Sequence, residues 1–106
     1  MKLEFDLATY VGRIKKSSSY FYTFINRDSL AAGILLLKPG ETDTQEPHDN
    51  DEVYYIISGD GFLKIKDKDY PVLENKVFFV KKNVKHYFHG NKKNLKALYF
   101  FGGSDS

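Results

Sequence analysis

Short runs of apolar residues, separated by residues typical of turns, fill the carboxyl-terminal four-fifths of the chain. The runs are rich in β-branched and aromatic residues, which predicts strands. They lie at residues 20–26, 31–37, 53–58, 62–66, 70–73, 77–80, 86–89 and 95–101. Eight short strands with short turns are typical of a closed barrel or a sandwich. Closure would also remove exposed edges from a chain with 9 Phe and 8 Tyr residues.

Turn residues between these runs predict how the strands connect. The first two runs are expected to form a hairpin around the polar turn at residues 27–29, and the third and fourth a hairpin through the glycine turn at residues 59–61. Pro71 lacks a backbone donor, which makes the fifth run an edge strand. Residues 7–14 are the helical candidate because apolar residues recur there at helical spacing after Asp6, a residue that can cap a helix. A loop is the alternative.

Size and composition exclude several classes of protein. A chain of 106 residues fits one domain, residues 1–106, with its core at about 20–102. The absence of cysteine excludes disulfides, thiolate zinc sites and cysteine nucleophiles. We found neither a membrane-length apolar run nor a signal peptide pattern, so we expect a cytoplasmic protein without a membrane partner.

Charge is balanced overall but uneven along the chain. The net charge of +2, from 16 basic and 14 acidic residues, is too balanced to imply a nucleic-acid partner, and we expect none. Lysines cluster toward the carboxyl end and are interpreted as solvated loop charge rather than a phosphate-binding patch. The middle of the chain instead crowds acidic residues, namely Glu41, Asp43, Glu46, Asp49, Asp51 and Glu52. Because like charges repel, a bound cation is one way to make their convergence tolerable.

Three of the residues around this acidic stretch have the spacing of a metal site. In an extended chain Glu46, His48 and Glu52 would point to one face, because they share parity. Imidazole nitrogen with carboxylate oxygen is a donor set that suits Mn, Fe, Co, Ni and Zn. A further ligand must come from elsewhere, and His86, at the start of a predicted strand, is the candidate. His89 has the opposite parity and is expected to face away.

Around these residues the chain resembles the cupin superfamily. The first cupin motif, G-x5-H-x-H-x3,4-E-x6-G, fits with every spacer intact at Gly40, His48, Glu52 and Gly59, but Glu46 replaces the first histidine. The second motif, G-x5-P-x-G-x2-H-x3-N, fits more loosely. It retains His86, whereas the other positions hold Asn75, Lys81, Asn83 and Gly90. Asn at the two glycine positions is physically reasonable, because Asn tolerates the left-handed backbone conformation.

The resemblance, which covers residues 40–90, implies an all-β double-stranded β-helix, or jelly-roll barrel, as in small single-domain cupins. It implies that His48, Glu52 and His86 are ligands of a divalent metal ion, Fe, Mn, Ni or Zn. Glu46 is inferred as a fourth ligand from its position alone. Gln45 competes with it, because Pro47 can break the strand alternation and turn the neighbouring side chain inward.

The function expected from such a site is a metal-dependent enzyme acting on a small organic molecule. Dioxygenase-like, lyase and isomerase chemistry all remain open, and a non-catalytic binding or sensing protein is the alternative. Tyr54 and Phe88 are the candidates for lining the pocket. A homodimer is expected through the apolar face supplied by strands 20–26 and 31–37.

Overall fold

The computed structural model describes residues 2–104 of the chain. Over this range a helix is followed by eight strands. These are α1 (Leu7–Lys15), β1 (Phe21–Arg27), β2 (Leu30–Leu37), β3 (Glu52–Ser58), β4 (Phe62–Ile65), β5 (Lys68–Pro71), β6 (Val77–Val80), β7 (His86–His89) and β8 (Leu95–Phe101). All eight predicted strands are confirmed. None of the helices in residues 2–104 has the length and hydropathy needed to cross a membrane.

The strands form two antiparallel sheets that enclose the main core. One sheet has the order β1-β2-β8-β3-β6, and the other has the order β5-β4-β7. Buried side chains from both sheets, such as Tyr54 and Leu63, pack in one apolar cluster between them. This is the all-β jelly-roll arrangement that was predicted, with the helix outside the barrel.

Helix α1 covers part of the outer face of the five-stranded sheet. Asp6 caps it, since its side chain accepts a hydrogen bond of 3.1 Å from the backbone N–H two residues on. Tyr10 and Ile14 on the helix are buried against Ile34 and Leu36 of β2. The predicted helix is therefore confirmed. The face of β1 and β2 that was expected to receive a second copy of the chain is instead covered by the chain's own helix.

The strand connections confirm one predicted hairpin and overturn the other. β1 and β2 pair as predicted. β3, however, pairs with β6 and β8, whereas β4 pairs with β5 and β7, so the expected β3–β4 hairpin is wrong. Gly59 and Gly61 carry the chain between the sheets at φ values of 113° and 103°. A Cβ atom on Gly59 would lie 2.6 Å from the carbonyl oxygen of Asn94, so these glycines allow a close backbone crossing rather than a reversal.

Two asparagines of the second motif adopt the backbone conformation that the sequence suggested. Asn75 and Asn83 have φ values of 66° and 65°. They replace glycines in the motif and occupy the left-handed region that glycine favours. Pro71 ends β5, which lies at the edge of its sheet as predicted.

Candidate metal centre

Three side chains with metal-binding atoms converge at one end of the barrel. His48, Glu52 and His86 each offer one such atom, and these atoms all lie within 4.8 Å of one another. Glu52 and His86 are 1% and 3% exposed, whereas His48 is half-buried. The residues implied by the sequence resemblance are therefore brought together by the fold.

Each of the two sheets supplies one of the buried members. Glu52 is the first residue of β3 and points inward from the five-stranded sheet. His86 is the first residue of β7 and points inward from the three-stranded sheet. Because the sheets face each other across the core, the starts of these strands place the two side chains in contact.

His48 belongs to the loop between β2 and β3, and backbone contacts hold this loop against the turn before β7. The N–H of Asn83 donates to the carbonyl oxygen of His48 at 2.7 Å. The N–H of Lys82 donates to Oδ1 of Asp51 at 2.9 Å. The His48 ring packs on Phe101, with ring centroids 4.4 Å apart. The asparagine turn of the second motif thus helps to position the histidine of the first.

His86 is held in one tautomer. Its Nδ1 lies 2.8 Å from the carbonyl oxygen of Val84, an acceptor, so Nδ1 carries a proton. The other ring nitrogen, Nε2, lies 2.9 Å from Oε1 of Glu52 and 3.1 Å from the hydroxyl of Tyr54. A neutral imidazole would aim the lone pair of Nε2 at a carboxylate oxygen, which is repulsive. A positive charge between these two atoms, either a proton or a metal ion, removes the conflict.

The pKa directions of the buried groups follow from the same contacts. Burial alone lowers the pKa of His86, but its hydrogen bonds to Glu52 and Val84, with the charges of Glu52 and Asp43, raise it above its ordinary value. Burial and the charges of Glu52 and Asp43 raise the pKa of Tyr54 well above its ordinary value. The site is therefore one in which a cation is favoured and an additional anion is not.

Gln45, the predicted alternative ligand, lies beside this cluster. Its Oε1 accepts a hydrogen bond of 2.9 Å from the Tyr54 hydroxyl and lies 3.4 Å from Nε2 of His48. Its Nε2 donates to Oδ2 of Asp43 at 2.7 Å.

Glu46, the other predicted fourth ligand, is exposed and lines the adjoining cavity, outside the group formed by His48, Glu52 and His86. Residues 43–51 are not a strand, so the parity argument that selected Glu46 does not apply to them.

Asp43 is a buried carboxylate to which the sequence analysis gave no individual role. It is 7% exposed and accepts hydrogen bonds from the Tyr20 hydroxyl at 2.7 Å and from the N–H of Phe88 at 2.8 Å. Burial, followed by the hydrogen bond to Asp43, raises the pKa of Tyr20 to about 12. The signal in the sequence was its membership of the acidic stretch, but nothing there distinguished Asp43 from its neighbours.

Four acidic residues of this stretch have separate partners. Glu41 accepts from the N–H of Lys38, and Asp51 accepts from the N–H of Lys82, both at 2.9 Å. Asp43 is held in the network with Gln45, and Glu52 contacts His86. Hydrogen bonds therefore stabilise most of these carboxylates without a bound cation. Glu52 is the carboxylate for which a metal ion remains the candidate partner.

A cavity of about 320 Å³ opens beside the cluster. Its lining is Tyr20, Phe21, Leu35, Thr44, Gln45, Glu46, His48, Glu52, Tyr54, Tyr99 and Phe101. Among these described residues there is no lysine or arginine. Tyr54 lines the cavity, whereas Phe88 lies behind it, with its ring centroid 4.9 Å from that of Tyr54. The cavity has the size of a site for one small organic molecule.

His89 lies outside the barrel. It follows His86 on β7, and its Nε2 is 2.7 Å from Oδ1 of Asp69 on β5. Its ring also stacks on Phe62, with centroids 5.7 Å apart. The opposite parity of His86 and His89 therefore separates an inward histidine from an outward one, as expected.

The donor set fits a divalent transition metal ion. Two imidazoles and a carboxylate are ligands that Mn, Fe, Co, Ni and Zn accept. The hydrogen bond from Nδ1 of His86 to a backbone carbonyl is the usual support for a histidine that binds metal through Nε2. The cluster therefore has both the ligand atoms and the outer support of a metal site.

Comparisons with known proteins place the chain in context. A family model described as "Cupin domain" matches residues 33–101, which include all three clustered residues. An uncharacterized protein of Streptomyces coelicolor is 30% identical over 86 residues, covering 81% of this chain and 82% of that protein.

Two solved structures illustrate the likeness of the fold. An RmlC-like cupin family protein with a double-stranded β-helix fold from Methanocaldococcus jannaschii matches with a TM-score of 0.72 at 19% identity, covering 79% of each chain. The DMSP lyase DddQ from Ruegeria pomeroyi matches with a TM-score of 0.71 at 20% identity, covering 78% of this chain and 46% of the lyase. At these identities the matches show the fold alone, and they confirm the predicted double-stranded β-helix.

Proposed function

The chain belongs to the cupin domain family, and from this membership we propose that it is a metal-dependent enzyme acting on a small organic molecule. His48, Glu52 and His86 are the proposed protein ligands. Fe, Mn, Ni and Zn are the candidate ions, because each accepts nitrogen and oxygen donors.

The contact between His86 and Glu52 carries the proposal. A buried carboxylate oxygen lies 2.9 Å from an imidazole nitrogen whose ring is already protonated at its other nitrogen. Burying a carboxylate without a compensating positive charge is costly. A proton on His86 would supply that charge for the pair alone. A divalent ion bound by both atoms would also account for the third donor, His48, whose ligand atom lies within 4.8 Å of theirs, which is why we favour a metal site over a purely structural cluster.

Residues around the proposed ligands would hold the histidines in place and bind the substrate. Val84 fixes the tautomer of His86, and Phe101 packs on the His48 ring. The aromatic wall of the cavity, including Tyr20 and Tyr99, would hold an organic substrate and exclude water around it. A bound ion would supply Lewis acidity and, if it is iron or manganese, redox chemistry as well.

The reaction class is proposed only as dioxygenase-like, lyase or isomerase chemistry. Three protein ligands on an ion that accepts six donors leave positions for a substrate. The DMSP lyase with the same fold supports a lyase as one member of this group. Because the cavity is lined without lysine or arginine, substrates with a large negative charge are disfavoured.

The test combines metal analysis with activity and a matched pair of histidine variants. The purified protein should contain close to one ion per chain, and it should consume oxygen or release product with a member of a panel of small oxygen-bearing organic molecules. H86A is expected to lose the metal and the turnover. H89A, which changes the outward histidine of the same strand, is expected to retain both. Stoichiometric metal with no turnover across the panel would contradict an enzymatic role.

A non-catalytic binding or sensing protein is the second candidate function. The observation that favours it is Glu46, which replaces a histidine of the family motif and is exposed. In this case the double variant H48A/H86A would abolish metal binding but leave the affinity for a small ligand unchanged.

We also propose a homodimer, through a different surface from the one first expected. On the outer face of the five-stranded sheet, Val53 of β3 lies between Phe79 of β6 and Phe100 of β8. Phe79 is 61% exposed and Phe100 is 36% exposed. Val77 beside them is 60% exposed. This row of apolar side chains is exposed on a part of the sheet that α1 does not bury, and a second copy of the chain would cover it.

A further inference from the structure

We propose that Oε1 of Gln45 is the fourth protein ligand of the ion and that Asp43 is the positioning residue that holds this oxygen in place. The inference rests on the proposed metal site and adds to it. It replaces Glu46, a charged ligand, with a neutral amide oxygen, and it gives the buried Asp43 carboxylate a role in the chemistry of the site.

The hydrogen bonds of Gln45 determine which end of its amide faces the cluster. Nε2 is 2.7 Å from Oδ2 of Asp43, and Oε1 is 2.9 Å from the Tyr54 hydroxyl. If the amide were flipped, its oxygen would face the Asp43 carboxylate at that short distance with no proton between them. The amide oxygen therefore points toward His48 and Tyr54, and the amide nitrogen points away from the site.

Asp43 can impose this orientation because all of its partners donate to it. The N–H of Thr44 donates to the Tyr20 hydroxyl at 3.0 Å, so the Tyr20 proton is directed to Oδ1 of Asp43. The N–H groups of Phe88 and Gln45 also donate to the carboxylate, at 2.8 Å and 3.3 Å. A carboxylate that accepts from every side leaves the Gln45 amide one favourable orientation.

The distance from this oxygen to His48 is compatible with a shared ion. Neighbouring ligand atoms on an octahedral ion with bonds of about 2.1 Å are about 3.0 Å apart. Oε1 of Gln45 lies 3.4 Å from Nε2 of His48, and Nε2 of His86 lies 2.9 Å from Oε1 of Glu52. Both separations are close to that value. The Tyr54 hydroxyl bridges the two pairs, at 2.9 Å from Gln45 and 3.1 Å from His86.

The ligand set that results carries one negative charge instead of two. His48, His86 and Gln45 are neutral donors, and Glu52 is the charged one. Two imidazoles with a single carboxylate favour the later transition metals more than a set with two carboxylates does. The assignment therefore also affects which ion the protein retains.

The experiment is a double-mutant cycle on metal affinity, with Co²⁺ as the probe and the visible spectrum of the bound ion as a second readout. Q45A is expected to weaken Co²⁺ binding at least tenfold and to change the visible spectrum. D43N is expected to weaken binding by a similar factor. The double variant D43N/Q45A should bind no worse than Q45A, because Asp43 acts through Gln45. E46Q is the control and should bind within about threefold of the unchanged protein.

Several outcomes would overturn the proposal. If E46Q weakens binding as much as Q45A is expected to, Glu46 is the ligand. If the effects of D43N and Q45A add in full, Asp43 does not act through Gln45. If the unchanged protein binds Co²⁺ but Q45A binds it as tightly and with the same spectrum, the inference fails while the metal site stands. If neither the unchanged protein nor any variant binds Co²⁺, Zn²⁺ or Mn²⁺, the proposed function itself fails.

A measurement on the unchanged protein covers the case in which D43N does not fold. The side-chain amide of Gln45, assigned by comparison with Q45A, is followed by ¹⁵N NMR during a titration with Zn²⁺. We expect the amide proton that is bonded to Asp43 to be protected from exchange, and a shift of the amide signal that saturates at one equivalent of Zn²⁺. An amide that exchanges as freely as those on the surface, or that does not respond to Zn²⁺, contradicts the proposal.

Discussion

Tyr99 lies directly opposite Gly33 in the ladder between β2 and β8, and its ring occupies the space that a side chain at Gly33 would need. Past the glycine, the Tyr99 hydroxyl lies 2.7 Å from Oγ1 of Thr23 on the neighbouring strand. A Cβ atom at position 33 would also lie 2.6 Å from the carbonyl oxygen of Tyr22. Glycine here is thus required by close packing in the wall of the cavity, not by a turn.

The first prediction concerns this packing. Gly33→Ala is expected to lower the free energy of unfolding by about 1–3 kcal/mol, because the added methyl group overlaps both a ring and a backbone oxygen. Urea denaturation followed by tyrosine fluorescence measures the change. Gly12→Ala on α1 is the control, since a Cβ atom there meets nothing within 4 Å. It should leave stability unchanged or raise it by up to about 1 kcal/mol.

The second prediction concerns metal removal. A free ion at 100 times its dissociation constant stabilises the folded protein by about 2.7 kcal/mol, so a chelator should lower the melting temperature of the loaded protein. E52A should show almost no such shift, because it lacks a proposed ligand. E41Q, whose parent side chain binds the N–H of Lys38, should show the full shift. An equal shift in E52A would argue against Glu52 as a ligand.

The third prediction is a pH dependence in the metal-free protein. The pKa of His86 is raised by Glu52 and Asp43 despite burial, so its protonated form stabilises the fold. This stabilisation is complete below the unfolded value of about 6.5 and is lost as the pH rises through the folded pKa. With a chelator present, the free energy of unfolding from urea titrations should fall between roughly pH 6 and pH 8.

A variant separates this effect from those of other groups. E52Q lacks the charge that raises the His86 pKa, so its stability should fall less over the same range. In the presence of metal the trend should reverse, because binding requires neutral imidazole and metal affinity rises with pH. A metal-free protein that becomes more stable toward pH 8 would contradict the assignment.

The fourth prediction concerns self-association. Phe79→Glu places a charge in the exposed apolar row on β3, β6 and β8 and should convert a dimer to a monomer in sedimentation velocity at micromolar concentration. Phe62→Glu changes an exposed aromatic on the outer face of the other sheet and should leave the dimer intact. If the unchanged protein sediments as a monomer, the proposed homodimer is wrong.

Much of the fold could be predicted because each strand and the helix are encoded by residues that are close together in the sequence. Strand positions follow from runs of β-branched and aromatic residues, and the helix follows from Asp6 and the apolar spacing after it. The connection at Gly59 and Gly61 could not be predicted in this way. The same glycine-rich sequence is found between two strands that pair and between two strands that enter different sheets. Here Gly59 is needed because the backbone of Asn94, which is distant in sequence, passes close to it.

The site shows the same division between local and distant information. The fold brings together His48, Glu52 and His86, which the motif spacing had selected. The side-chain placements around them depend on contacts that spacing does not encode. The orientation of Gln45 is set by Asp43, which in turn is held by Tyr20 and by the backbone of Phe88. Because residues 43–51 are not a strand, parity was not a guide to them.

The central position of β8 has a consequence for how the molecule is made. This last strand lies between β2 and β3 and pairs with both. During synthesis, the hairpin of β1 and β2 leaves the ribosome long before its partner strand exists, since residues 38–94 separate them. Until then one edge of β2 has no strand beside it and is open to pairing with another chain. The nascent protein therefore keeps this open edge until β8 emerges, and a chain truncated before β8 would keep it permanently.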